Sequence, residues 1–243
     1  MKLIKLSSKG FTLMELVIIC PILMVVIAIL MNFMFNQYGQ LLVQNTAVNL
    51  QVQSGNILAS IKPEATNASS YVTQLNAGQN DEFAPSGGWS AANNYSVLII
   101  STPALSAPFG KADSQKVYIN SVGCEPASIR PGNDTLLVNI VYFSEGTNLY
   151  RRVVSFDGNL STCGNNYFKQ TCPSANMTSV CPEDKLLTNQ LDEFKVSYID
   201  QNGNITTRPE EGTMVKISLK LKDKAYAETV IAGSDLIIKR VGL

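Results

Sequence analysis

The sequence predicts an α+β protein, one long N-terminal helix followed by an antiparallel β domain. Three observations carry this reading. Between Glu15 and Lys62 there is no charged residue. From Tyr95 onward, short apolar or alternating runs recur in the pattern of β-strands. The dipeptides Glu145-Gly146, Asp157-Gly158 and Asn202-Gly203 interrupt these runs where turns belong.

The N-terminal segment divides by polarity. Lys2, Lys5 and Lys9 fall in the first ten residues with no acidic residue among them. Leu16 to Phe35 is then apolar except for Asn32, counting Pro21 as apolar. Twenty helical residues span about 30 Å, the thickness of a bilayer's hydrocarbon core. The run is too long for the core of a cleaved secretory signal, and Asn36, Gln37 and Tyr38 follow it where small residues would mark a cleavage site. Pro21 removes one backbone hydrogen bond and should kink or loosen the first turns.

Beyond Phe35 the chain stays uncharged but becomes polar. Leu41, Val48 and Val52 share one helical face, so a continuation over 36–62 is expected to lay that face on the globular domain. Gly55 and Pro63 mark its expected end. One continuous helix and two separate helices fit this pattern equally. Residues 64–94 read as a loop rich in Ala, Asn, Ser and Gly, with the single tryptophan at Trp89.

The strands follow at Tyr95–Ser101, Val117–Val122, Leu136–Phe143, Leu149–Phe156, Phe194–Ile199, Met214–Leu221 and Thr229–Lys239. The run from Met214 is the clearest. Val215, Ile217, Leu219 and Leu221 alternate with Lys216, Ser218, Lys220 and Lys222, the signature of a half-buried antiparallel strand. Arg151 and Arg152 read as edge-strand charges that discourage aggregation.

Composition narrows the function. Of 243 residues none is histidine, which removes Ser-His-Asp and Cys-His nucleophiles, His general bases and the commonest metal sites. No nucleophile-elbow motif or convincing metal cluster replaces them, so the chain reads as no enzyme and needs no cofactor. Lys+Arg and Asp+Glu are 19 each, leaving no evident nucleic-acid surface. Outside the membrane segment, which holds Cys20, four cysteines remain: Cys124, Cys163, Cys172 and Cys181. In an extracytoplasmic domain they suggest two disulfides, with three possible connectivities. A four-cysteine zinc site is the rival, disfavoured because no C-x-x-C pair is present. Asp200-Gln201-Asn202-Gly203-Asn204, with Glu211 further on, partly matches a calcium loop. Ile205 stands where that loop needs glycine, and a hairpin turn explains the same residues.

The string Lys9-Gly10-Phe11-Thr12-Leu13-Met14-Glu15-Leu16-Val17 resembles the class III signal of type IV prepilins and pseudopilins. The resemblance implies a cytoplasmic leader, residues 1–10, removed by prepilin peptidase between Gly10 and Phe11, after which Phe11 is N-methylated. Residues 11–35 would be the transmembrane helix, 36–62 its amphipathic continuation and 63–243 a pilin-like extracytoplasmic domain. Glu15 takes the place of the family's assembly glutamate. An acid at the start of a bilayer segment is costly unless partnered. Facing the new amine on Phe11 of a neighbouring subunit at ~4 Å and an effective dielectric of about 20, it would gain roughly 4 kcal/mol before desolvation.

More softly, LLVNIVYFSEGTNLYRRVVS (136–155) and TMVKISLKLKD (213–223) resemble strands of the J-type minor pseudopilins and W-type minor pilins. The partners implied are other pilins or pseudopilins, an inner-membrane assembly platform and membrane lipid. The location implied is the cell membrane, single-pass, and then a surface or periplasmic filament. Because some pseudopilins bind calcium, Asp200 and Glu211 remain its weak candidates. A binding role on the same scaffold, as adhesin or DNA-uptake tip, would use the loops at 64–94 and 157–190.

Overall fold

The structure is a computed structural model that describes residues 13–91, 96–105, 136–155, 168–179 and 181–241, with 107, 111, 114 and the backbone of 117–120 and 123–126. Its first element, α1, runs unbroken from Leu13 to Thr66, 54 residues or about 80 Å. It passes through both Pro21 and Pro63, so one helix replaces the two-helix alternative. Beyond Thr66, Asn67 closes the last turn: its backbone N–H and its side-chain amide both donate to the Pro63 carbonyl, at 3.1 and 2.7 Å. The segment expected to be loop from residue 64 therefore begins as helix.

The strands are β1 (Ser70–Tyr71), β2 (Val97–Pro103), β3 (Val117–Asn120), β4 (Gly123–Pro126), β5 (Leu137–Glu145) and β6 (Asn148–Val154). They continue with β7 (Lys185–Thr188), β8 (Leu191–Ile199), β9 (Ile205–Thr206), β10 (Met214–Ala225) and β11 (Glu228–Lys239). One sheet has the order β1-β2-β5-β6-β7 and a second β11-β10-β8-β9, while β3 and β4 form a separate hairpin. Every strand pairing among the described residues is antiparallel. The turns at Gly146 and Gly203 adopt positive φ, 60° and 85°, conformations open to glycine at little steric cost. Asp157-Gly158 lies outside the described residues.

The second sheet matches its pattern. Along β10, Val215, Ile217, Leu219 and Leu221 are buried while Lys220 is exposed. Their buried face, with that of β11, receives the outer half of α1, and the same core continues under Leu98, Ile100, Val138, Ile140 and Val153 of the first sheet. A smaller cluster of Trp89, Ala91, Val97, Ile99, Val141, Phe143 and Val154 covers the opposite face of the first sheet.

Two expectations fail. Leu41, Val48 and Val52 do not face the domain: they are 55%, 58% and 57% exposed. The buried face carries Gly39, Leu50, Ser54, Ile57, Leu58, Ile61, Glu64 and Ala65, with Val43 and Ala47 partly covered. With Ile57/Leu58 and Glu64/Ala65 each taken as one step, the positions from Gly39 through Val43 and Ala47 to Ala65 advance by three or four, so the period is helical. Several are small, because a sheet packed close to a helix favours small side chains at the contact. A count of large apolar residues misses such a face.

The second failure is at Arg151 and Arg152. β6 lies between β5 and β7, and the two arginines are only 5% and 3% exposed. They are interior charges with buried partners, described next.

Candidate functional site

Alternation along β6 sends the two arginines to opposite faces of the first sheet. Arg151 points toward the main core. Its Nη2 meets Glu64 Oε1 at 2.8 Å, and its Nε lies 3.0 and 3.1 Å from the two Glu64 oxygens. Tyr142, the cross-strand neighbour of Arg151, donates its hydroxyl to the same carboxylate. This cluster fastens the end of α1 to the first sheet.

Arg152 points to the other face, beneath the loop from Val72 to Ala91. Its Nε and Nη2 bind Asp184 at 3.0–3.1 and 2.5 Å, and its Nη1 donates to Asp81 at 3.0 Å and to the Phe83 carbonyl at 3.1 Å. Trp89 Nε1 donates to the same Asp81 oxygen that Arg152 binds, Oδ2, at 2.6 Å. Thr171 donates to Asp184 at 2.7 Å and accepts the Val153 N–H at 3.0 Å. Burial by itself would pull the Arg152 guanidinium down. The hydrogen bond and charge of Asp184, then those of Asp81, outweigh it and hold the group above its ordinary pKa.

The guanidinium carbon also lies 5.5 Å from the Trp89 ring centre and 5.2 Å from that of Phe143, within cation–π range. Phe143 stacks in turn on Tyr150 at 5.5 Å. Above these groups opens a groove of about 600 Å³. It is lined by Phe83, Pro85 and Trp89 from the 72–91 loop, by Phe143 and Tyr150 from β5 and β6, and by Pro173, Ser174 and Glu183 from the segment before β7. Its size suits a small ligand or a partner side chain.

The residues singled out from sequence are scattered by comparison. Gly10 and Phe11 lie outside the described residues. Glu15 is in the first turn of α1. Beyond it the apolar stretch from Leu16 to Phe35 is long and apolar enough to cross a membrane, and none of its residues is buried. Cys172 and Cys181 form a disulfide beside the groove. Cys124 lies on β4, and Cys163 lies outside the described residues, so their pairing is not described. Cys20 is the free cysteine among the described residues and is exposed on the apolar helix.

Asp200 accepts the backbone N–H groups of Asn202 and Asn204 at 2.8 and 2.9 Å, which organises the turn into β9. The Asn204 backbone bond, reinforced by that of Asn202, lowers its carboxyl pKa. Glu211 instead bonds Arg208 at 2.9 Å and Thr206 at 3.1 Å. Among the described residues no group of three or more acids or cysteines is placed to hold a metal ion.

The sequence reading missed Glu64, Asp81, Tyr142 and Asp184. One signal was available: two arginines inside an otherwise apolar strand, Leu149-Tyr150-Arg151-Arg152-Val153-Val154, are badly placed for a solvated edge. Their acidic partners are spread from Glu64 to Asp184, and no local pattern joins them. In comparison with known proteins, the chain matches no family model and no curated protein.

Proposed function

We propose that this chain is a minor pilin or pseudopilin subunit, processed after Gly10 and assembled through its N-terminal helix into a type IV pilus, competence pseudopilus or secretion pseudopilus. One observation carries the reading. The prepilin-like string KGFTLMELV runs directly into an apolar helix that is bare over Leu16–Phe35 and clad by a β domain from Gly39 onward. A helix with uncovered apolar length on one end needs lipid or other helices around it. A filament core supplies the helices after a membrane has supplied the lipid.

In this reading Glu15 is an assembly residue, neutralising the Phe11 amine of a neighbour, and not a catalyst. The test is the intact mass and N-terminal sequence of the membrane-fraction protein, with and without prepilin peptidase. Loss of residues 1–10 with a methylated Phe11 is the expected result. A chain still beginning at Met1 beside an active peptidase sinks the proposal.

The groove favours a second reading, in which the same subunit also binds a protein or glycan ligand. The two loops proposed for binding, 64–94 and 157–190, both contribute to its walls through Phe83, Pro85, Trp89, Pro173, Ser174 and Glu183. Filling it from the exposed rim with Ser174→Trp should abolish adhesion while filaments persist. Unchanged adhesion would leave the purely structural role.

A further inference from the structure

The β10–β11 hairpin runs alongside α1 and fixes how the domain is oriented on it. At one end the Tyr226 ring packs on Gly39, so closely that a Cβ there would lie 3.1 Å from two ring carbons. Midway, Ser234 and Ser54 share a hydrogen bond of 2.9 Å. At the far end the Val241 N–H donates to the Thr66 carbonyl at 2.9 Å. Eight strand residues cover about 26 Å and fifteen helical residues about 22 Å, so strand and helix advance together from Tyr226–Gly39 to Ser234–Ser54. The hairpin tip, Ala225-Tyr226-Ala227, therefore points toward the apolar end of α1.

The apolar run stops at Phe35, four residues before Gly39. Four helical residues rise about 6 Å. The headgroup layer is about 5–7 Å thick on each side of the hydrocarbon core. Tyr226 thus falls at headgroup depth, at about the level of Tyr38 on the helix. Both rings are largely open, 68% and 61% exposed.

The backbone adds an independent observation. Tyr226 is the non-glycine residue with positive φ among the described residues, at 57°. Glycine or asparagine suits that conformation better, and a bulky side chain held there points to a use for the side chain. Amphipathic aromatic rings are enriched at membrane interfaces, where the ring is sheltered and the hydroxyl stays wet.

We propose that the β10–β11 hairpin tip is a membrane-contact element, with Tyr226 seated in the lipid headgroup layer so that it sets the domain's height and tilt over the bilayer. The inference rests on reading Leu16–Phe35 as a bilayer segment. Charges at the tip are balanced, Lys222 and Lys224 against Asp223 and Glu228. The lipid chemistry implied is therefore a zwitterionic interface, with no requirement for anionic headgroups.

The test uses the full chain in phosphatidylcholine nanodiscs carrying spin-labelled lipid, labelled either near the headgroup or at the bilayer centre. Three single tryptophan probes are compared against the native Trp89 background: Tyr226→Trp, Met24→Trp mid-span, and Ile205→Trp near the far end of the second sheet. Tyr226→Trp should be quenched about twofold more by the shallow label than by the deep one, as an interfacial ring would be. Met24→Trp should show the reverse order, and Ile205→Trp neither effect.

If Met24→Trp is quenched while Tyr226→Trp behaves like Ile205→Trp, the hairpin inference is wrong and the bilayer segment stands. If Met24→Trp is not quenched, both fall. A companion variant, Tyr226→Asn, suits the backbone and should keep Tm within about 2 °C. A larger fall would assign the ring to packing of the fold, against the proposal.

Discussion

Arg152→Met removes the cation shared by two interior carboxylates while keeping most of the side chain's length. In the folded chain Asp81 and Asp184 have side chains 0% and 4% exposed, and Arg152 supplies each with at least one hydrogen bond. Breaking a buried pair by deleting one partner costs about 3–5 kcal/mol, because the remaining charge keeps its desolvation penalty. Domains have only about 5–15 kcal/mol of stability in total. For a domain of this size, 1 kcal/mol moves Tm by about 2–4 °C, so a fall of roughly 6–20 °C is expected.

Trp89 reports the event locally, since its indole binds Asp81 and lies beside the guanidinium. Thermal unfolding of the full chain in detergent, followed by tryptophan emission, is a suitable assay. Lys220→Met is the control. It breaks an ion pair of 2.6 Å with Glu193 whose partners are 53% and 42% exposed, and such surface pairs contribute about 0–1 kcal/mol. The double variant Arg152→Met/Asp184→Asn should lose less than the two single variants combined, because the two groups interact directly. A loss for Arg152→Met no larger than for Lys220→Met would refute the claim that this interior network holds the loop and β7 side of the first sheet.

Two other outcomes follow from the packing. Leu50→Ala or Ile61→Ala, on the covered face of α1, should cost about 2–5 kcal/mol, whereas Val48→Ala and Val52→Ala should stay within about 0.5 kcal/mol in the isolated subunit. Equal losses on both faces in a denaturation series would show that the helix docks otherwise. Burial raises the hydroxyl pKa of Tyr71, against the opposing charge of Arg240, to about 12, and burial also raises that of Tyr198. A phenol whose folded pKa lies above its unfolded value near 10 contributes stability fully present below pH ~10 and lost as pH rises through about 12. Spectrophotometric titration should show a delayed fraction among the nine tyrosines; a single phase near pH 10 would contradict it.

The division of labour between α1 and the strands was readable along the chain because both depend on local periodicity. Leu16–Phe35 declares a membrane-length helix by being uncharged, and β10 declares a half-buried strand by alternating. The prepilin-like string is also local, so the processing and assembly roles proposed for Gly10, Phe11 and Glu15 rest on sequence. Three things were not local. The face of α1 that docks was set by where Gly39, Ala47 and Ser54 let β10 and β11 approach, which no count of large apolar residues reveals.

The fate of Arg151 and Arg152 depended on Glu64, Asp81 and Asp184, up to 87 residues away, arriving beside β6. The groove exists only because the loop before Ala91 and the segment around Cys172 meet over Phe143 and Tyr150. A charge reads as solvated until its partner is known, and a partner separated by a whole sheet is supplied by chain topology. Sequence thus determined the long apolar helix and the main strands. Tertiary structure alone decided which faces close, which charges are interior, and that Tyr226 lies one helical turn beyond the end of the apolar run.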